Sequence, residues 1–155
     1  MYPKKSFSQN FLRDQTIIQN IAEEAASSKT ILEIGAGEGV LTEELAKRAK
    51  KIIALEFDHD LIPELLNRFP LSSNVSVVEA DILRTDIPGI LKKYGWTNER
   101  YDVFGNIPYA ITGKIIRLLV ALDPAPDKIV LMVQKEVAER IVVKDGKHSL
   151  LSLSV

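Results

Sequence analysis

The sequence predicts an α/β fold built on a mainly parallel sheet, and three observations carry that reading. Short apolar runs alternate with helix-period stretches five times along the chain. The first run, Thr30-Ile31-Leu32-Glu33-Ile34, is broken by Gly35 and followed by a helical stripe of Val40, Leu41, Leu45 and Ala49. Finally, Glu33, Glu56, Asp81 and Asn106 fall at or just past the ends of successive runs, at spacings of 23, 25 and 25 residues. Strand–helix alternation places helices on both faces of a parallel sheet, and ligands bind beyond the carboxyl ends of its strands. Four polar residues in register there predict one common cleft.

Taken in order, Asp14 is placed to cap a helix whose apolar positions Ile17, Ile18, Ile21, Ala22 and Ala25 follow the helical period, ending near Ser27 and Ser28. Strand 30–34, its glycine turn and a helix follow. The pattern then repeats as strand 51–56 and helix 60–69, strand 75–78 and short helix 87–94, strand 101–105 and helix 113–122, and strand 128–133 and helix 135–143. Pro63 fits a first helical turn if Asp60 is the cap.

Composition bounds the function. The chain has 155 residues, 46% hydrophobic, 26% charged and 6% aromatic, with 20 basic against 21 acidic side chains. A chain of this length buries about 68–70% of its unfolded surface, enough for one core without staples. No internal repeat or linker divides it, so residues 1–155 are read as one domain. The absence of cysteine excludes disulfide scaffolds, Cys-ligated zinc, iron–sulfur clusters and thiol nucleophiles. A net charge of −1 excludes an overall basic coat, though not a local basic patch. No apolar run is long enough to span a membrane, so a soluble, unexported, cytoplasmic protein is expected. The arm 1–13, with Lys4, Lys5 and Arg13 and no acid, is the one clearly basic segment; residue type alone makes it a solvated chain end.

The chemistry sits in a few short motifs. In Glu33-Ile-Gly35-Ala-Gly37-Glu-Gly39, glycines let backbone approach a ligand closely. The dinucleotide fingerprint G-x-G-x-x-G is not met, because Val40 holds its sixth position, which weakens a nicotinamide reading. Glu56, 21 residues past Gly35, is near the distance at which a carboxylate meets two ribose hydroxyls. Together these indicate a nucleoside-containing cofactor. Asp81 either accepts from an adenine amine at the third strand edge or caps a turn; the two readings are even.

Asn106-Ile107-Pro108-Tyr109 follows the fourth strand directly. Pro108 favours an extended Ile107 and so directs the Ile107 carbonyl. That carbonyl and the Asn106 side-chain oxygen are suited to accept from one amino group. An amine conjugated to a purine is a poor nucleophile, and two converging acceptors over the aromatic face of Tyr109 favour the pyramidal nitrogen it becomes on attack. No catalytic base is required, since the alkylated nitrogen is acidic. His59 and His148 are isolated, so no metal site and no triad is expected. Gly113-Lys114 lacks the first glycine of a phosphate loop, Lys135 to Arg140 reads as a solvated helix face, and Trp96 lies in a polar loop with its role open.

These motifs, with Gln9-Asn10-Phe11-Leu12, Glu79-Ala-Asp81-Ile82 and Gln134-Lys-Glu136, resemble the ribosomal RNA adenine N6,N6-dimethyltransferase family (KsgA type) over essentially the whole chain. The resemblance implies a Rossmann-like class I methyltransferase fold, S-adenosylmethionine as methyl donor, and two adjacent adenosines of small-subunit (16S) RNA as acceptors. It also implies that Asn10, Leu12, Gly35, Gly37, Glu56, Asp81 and Asn106 line the cofactor site, and that Asn106, Ile107, Pro108 and Tyr109 present a flipped target adenine. A monomer working on the small ribosomal subunit, without metal or membrane, is the expectation. Ser8, Ala110 and Gly113 depart from the family pattern. The family continues beyond the position of Val155 with further strands, a loop carrying a second aromatic and a helical domain. The expectation is therefore a methyltransferase core lacking those parts. The alternatives are a large-subunit RNA adenine methylase of the antibiotic-resistance type and a non-catalytic remnant that binds cofactor or RNA.

Overall fold

The computed structural model describes residues 14–25 and 29–141. Five strands, β1 (Thr30–Ile34), β2 (Lys51–Glu56), β3 (Val75–Glu79), β4 (Tyr101–Asn106) and β5 (Lys128–Met132), form one sheet in the order β3-β2-β1-β4-β5. Every pairing is parallel. The chain moves outward from β1 through β2 to β3, then returns to the other side of β1 for β4 and β5. That reversal puts the switch point between β1 and β4, where the ends of adjacent strands open a crevice.

Among the described residues, six α-helices cover the sheet: α1 (Gln15–Glu23), α2 (Val40–Ala46), α3 (Ile62–Arg68), α4 (Ile87–Lys93), α5 (Thr112–Val120) and α6 (Lys135–Ile141). Because strand side chains alternate between faces, each central strand feeds two cores. Ile31, Ile52, Ala54 and Phe104 pack with Ile18 and Ala22 of α1, Leu45 of α2 and Leu65 of α3. Leu32, Ile53, Leu55 and Val103 pack with Leu91 of α4 and Ile115 and Leu119 of α5. Burial of each Leu or Ile contributes about 1.5–3 kcal/mol, so the two-sided burial of β1, β2 and β4 dominates fold stability. The expected layering is therefore present, with α1–α3 on one face and α4–α6 on the other, α6 joining that core through Ala138.

Asp14 caps α1 as its position predicts: its side chain accepts from Thr16 N at 2.9 Å and Ile17 N at 3.3 Å. Before α3 the expectation needs correction, because Asp58 rather than Asp60 is the capping acid. Asp58 has extended backbone, and its carboxylate accepts from Asp60 N at 3.0 Å, opening a 3-10 turn at His59–Leu61. The α-helix starts only at Ile62, with Pro63 in its first turn, where the missing N–H costs nothing. Trp96 lies in the loop between α4 and β4, as expected, and is buried there; its indole N–H donates to Glu99 O at 2.7 Å and its ring meets Tyr101 edge-on at 5.8 Å.

Candidate functional site

The carboxyl end of β1 makes the floor of the site. Gly35 N and Ala36 N both donate to Leu55 O, at 2.9 and 3.0 Å, tying the start of the glycine turn to β2. Gly35 has φ +74°, and a Cβ there would stand 3.1 Å from the Asn106 carbonyl oxygen. Only glycine lets the two central strand ends approach this closely. Gly39, at φ +80°, has a different constraint: a Cβ there would stand 2.8 Å from the Phe69 ring. The alternate glycines thus serve both the switch-point crevice and the packing of α2 on α3.

Glu56 ends β2 and is buried. One of its carboxylate oxygens accepts from Gly37 N and the other from Asp58 N, both at 2.7 Å. The side chain therefore braces the glycine turn against the loop after β2, and each oxygen retains acceptor capacity beyond its one backbone donor. Glu33, Glu56 and Asn106 share strand parity with Ile31, Ala54 and Phe104, so all three project toward the α1–α2 side.

Glu33 is only 1% exposed, and its Oε2 has no hydrogen-bond partner among the described residues; nor does the buried Thr42 Oγ1 of α2. Burial pushes the Glu33 carboxyl up to about 7; the Thr42 hydroxyl opposes that shift and the Glu56 charge adds to it. Sequence reasoning placed Glu33 in the turn motif but not this buried pair. The signal was available, since an acid inside an otherwise apolar strand has no cheap structural role.

Asn106 closes β4 in register with Met132, and Ile107 N donates to Met132 O at 3.1 Å. The Ile107 side chain is buried in the core under α4 and α5. Pro108 is extended (φ −59°, ψ 138°), and its carbonyl accepts from Ile111 N at 3.2 Å and from Thr112 Oγ1 at 3.0 Å. This short 3-10 turn, Tyr109–Ile111, leads directly into α5 and leaves Tyr109 53% exposed at the rim. A buried anchor at 107 thus carries an exposed aromatic at 109.

Asp81 lies two residues past β3, and the structure shows the turn-capping geometry. Its Oδ1 accepts from Leu83 N at 3.0 Å, its carbonyl accepts from Thr85 Oγ1 at 2.7 Å, and its Oδ2 is 3.6 Å from Arg84 Nε. Gly35, Gly37, Glu56 and Asn106 are brought together by direct contacts; Asp81 is held at the neighbouring strand end by contacts of its own. Asn10, Leu12 and His148 lie outside the described residues. His59 is not isolated, since its Nδ1 lies 3.0 Å from Glu79 Oε1, and that hydrogen bond raises its pKa above the usual value. Lys135 and Glu139 pair at 4.0 Å on α6, as a solvated face predicts.

Among the described residues, no group of His or acidic side chains is arranged to hold a metal ion, and no helix is long and apolar enough to cross a membrane. A cavity of about 300 Å³ opens at the opposite, amino edge of the sheet, lined in part by Trp96, Arg100, Tyr101 and Pro124. Polar groups of its lining are engaged within the fold: Tyr101 donates to Pro124 O at 2.7 Å, burial pushing its phenol up to about 12, and Arg100 pairs with Asp127 at 3.4 Å. It is a seam of the fold.

The sequence profile described as Ribosomal RNA adenine dimethylase matches residues 2–155. A protein of Ligilactobacillus salivarius named Ribosomal RNA small subunit methyltransferase A is 42% identical over 98% of this chain and 52% of its own length. One of the same name from Dehalococcoides mccartyi is 38% identical over the same shares. Among solved structures, a dimethyladenosine transferase from Plasmodium falciparum superposes with a TM-score of 0.72 at 33% identity, covering 88% of this chain and 47% of that one. The 23S rRNA methyltransferase ErmE superposes with a TM-score of 0.70 at 34% identity, covering 84% and 50%. The chain spans about half the length of the curated relatives it matches. A parallel sheet with its switch point at a glycine turn, a braced acid on β2 and an Asn-Ile-Pro-Tyr end to β4 agree with the sequence match, and the chain belongs to the ribosomal RNA adenine dimethylase family.

Proposed function

We propose that this chain is the methyltransferase domain of an enzyme that methylates the N6 amino group of adenine in ribosomal RNA, with two adjacent adenosines of the small-subunit RNA as acceptors and S-adenosylmethionine as donor. The observation that carries the proposal is the convergence at the switch point: Gly35 lies against the Asn106 carbonyl while Gly37 N is bonded to Glu56. The same place favours a nucleoside-bearing donor. A Cβ would fill the cradle at Gly35, Glu56 keeps acceptor capacity for vicinal hydroxyls, and Glu33 Oε2 is a buried acceptor without a partner. When bound, S-adenosylmethionine supplies an electrophilic methyl carbon on a sulfonium.

The chain's own residues do the rest. Glu56 receives the ribose hydroxyls, and the glycine turn admits the donor's backbone-contacting end. Asp81, with Asn10 and Leu12 of the arm 1–13, completes the donor site, its carboxylate keeping the cap on Leu83 N while its remaining acceptor capacity takes the purine amine. Asn106 Oδ1 and the Ile107 carbonyl accept from the target amino group, and Tyr109 offers its exposed ring to the flipped base. The proton leaves to solvent after transfer, so neither His59 nor a carboxylate acts as base.

The test is transfer of labelled methyl from S-adenosylmethionine to unmethylated small and large ribosomal subunits, with nucleoside analysis of the product. Dimethyladenosine in the small-subunit RNA is expected. Asn106→Ala is expected to lower transfer by about 10²–10³-fold, the usual effect of removing one preorganised polar group at a reacting centre. Glu56→Ala is expected to act mainly on donor affinity, read by calorimetry. An Asn106→Ala variant of full activity would sink the mechanism, and product in the large-subunit RNA alone would move the target.

A further inference from the structure

The helices differ in charge: α4 and α5 carry no acid, whereas α6, which shares their core through Ala138, carries Glu136 and the Lys135–Glu139 pair. On the α1–α3 side, cations are matched with acids: Lys47 and Arg48 with Glu44, Arg68 with Glu43, and Lys128 with Glu24. On the other side, the chain contains no acid between Asp86 and Glu99, which spans α4, and none between Asp102 and Asp123, which spans α5. Yet α4 carries Lys92 and Lys93, and α5 carries Lys114 and Arg117, all exposed. None of the four has an ion-pair partner among the described residues; Lys93 Nζ lies only over the Tyr94 ring at 5.5 Å. Both helices pack on one core, so the four cations belong to one face.

Lys114 and Arg117 occupy one stripe of α5, a helix that begins three residues after the exposed Tyr109. Between them and Tyr109, Gly113 has nothing within 4 Å of where its Cβ would stand, so backbone is open to close approach. Of the acids that flank the two helices in sequence, Asp86 caps α4 through Gly89 N at 3.1 Å, Glu99 pairs with Lys50 and Asp102 with Lys29, while Asp123 lies beyond the end of α5. An acid-free cationic face that starts at the target-base aromatic is complementary to a polyphosphate backbone, whereas the opposite layer would repel one through its acids.

We infer that the outer face of α5, continued by the last turn of α4, is the track on which the RNA phosphate backbone lies while Tyr109 receives the target base. This rests on the proposed rRNA acceptor and adds to it which layer docks and which stays in solvent. The whole chain's net charge of −1 conceals the track, because the counter-charges sit outside α4 and α5.

The test reads binding of a hairpin RNA with two loop adenosines as a function of salt, without methyl donor, so that docking is scored independently of transfer. Lys114→Ala/Arg117→Ala is expected to lower the slope of log K against log salt by about 1.5, since each phosphate contact to RNA contributes about 0.7–0.9. Lys92→Ala/Lys93→Ala is expected to lower it by a smaller amount. Lys47→Ala/Arg48→Ala, on the opposite layer, is expected to leave it unchanged. Lys92, Lys93, Lys114, Arg117 and Lys47 are exposed and Arg48 is half-buried, and unaltered thermal midpoints and donor affinity establish that the variants fold. An unchanged slope in the α5 variant, or an equal loss in the Lys47/Arg48 control, overturns the inference even if methyl transfer proceeds. If the slope falls as stated but no methyl is transferred, the docking face stands and the proposed activity fails.

Discussion

The α1–α2 face of the sheet buries acids at both its ends, and the two ends treat them differently. At the amino end, Asp102 is 0% exposed and its Oδ1 lies 3.2 Å from Lys29 Nζ, which also reaches Asp127 at 3.2 Å. At the carboxyl end, Glu56 is satisfied by two backbone N–H groups, and no cation pairs with it or with Glu33 among the described residues. The first arrangement sets a cation against the buried charge and holds β4 to the chain entering β1, although Asp102 Oδ2 has no hydrogen-bond partner among the described residues. The second keeps negative charge and acceptor capacity inside a crevice, which destabilises the empty fold but favours a guest that donates hydrogen bonds or carries positive charge. A buried acid becomes functional by what is left out of its surroundings.

The largest expected effect sharpens the carboxyl end. Glu33 has its pKa raised to about 7 in the fold, first by burial, so the native state binds a proton more tightly than the unfolded chain. The sign follows: its contribution is fully present below the unfolded value near 4.5 and is lost as pH rises through 7. Stability of the ligand-free protein should therefore decline by up to on the order of 3 kcal/mol across that window, an amount given by the size of the shift. Urea titrations at several pH values check it, and Glu33→Gln should remove most of that slope. A wild-type slope identical to that of the variant would mean that Glu33 is solvated.

The amino end should break asymmetrically. Desolvation would lower the Lys29 pKa, but Asp102 and Asp127 outweigh it and hold it above its usual value. Asp102 is also held up, because burial costs its charge more than Lys29 returns. Lys29→Met strands a buried anion and should cost about 2 kcal/mol, below the usual range for a broken buried pair because Lys29 is 22% exposed and Asp102 can take up a proton. Asp102→Asn removes the penalised charge and should cost less than about 1 kcal/mol. Equal losses for the two variants, measured by urea unfolding at neutral pH, would show an ordinary additive ion pair.

The same contrast explains what the sequence made legible. Strand runs and glycine breaks are local, so all five strands and the order of elements could be read from periodicity, and Glu56 and Asn106 stood out as polar ends of apolar runs. Partnership is not local. Whether Asp102 inside Tyr101-Asp-Val-Phe is paired depends on Lys29, 73 residues earlier, brought beside it only by the β1–β4 pairing. The cap before α3 was misplaced because Asp58 and Asp60 are equivalent in composition, and only the 3-10 turn ahead of Pro63 separates them. The role of Trp96 within its polar loop is not legible because its partner, the Glu99 carbonyl, is backbone and carries no side-chain signal.

The smallest expected effect lies at the rim of the carboxyl end, where charge is paired but not buried. Glu79 raises the His59 pKa through the 3.0 Å hydrogen bond, with Asp60 and Asp58 adding charge. Its contribution is present below the ordinary value near 6.5 and disappears as pH rises past the raised value. Solvent screens both partners, so the effect should be smaller than either of the buried ones. His59→Gln should lower the thermal midpoint slightly at pH 6 and not at pH 9, and raising salt should erase the pH 6 difference. Glu79→Gln should reproduce the result, and the double variant should add nothing to either. A His59→Gln loss that persists at pH 9 in high salt would show that the ring is held by packing and that the rim is more rigid than its exposure implies.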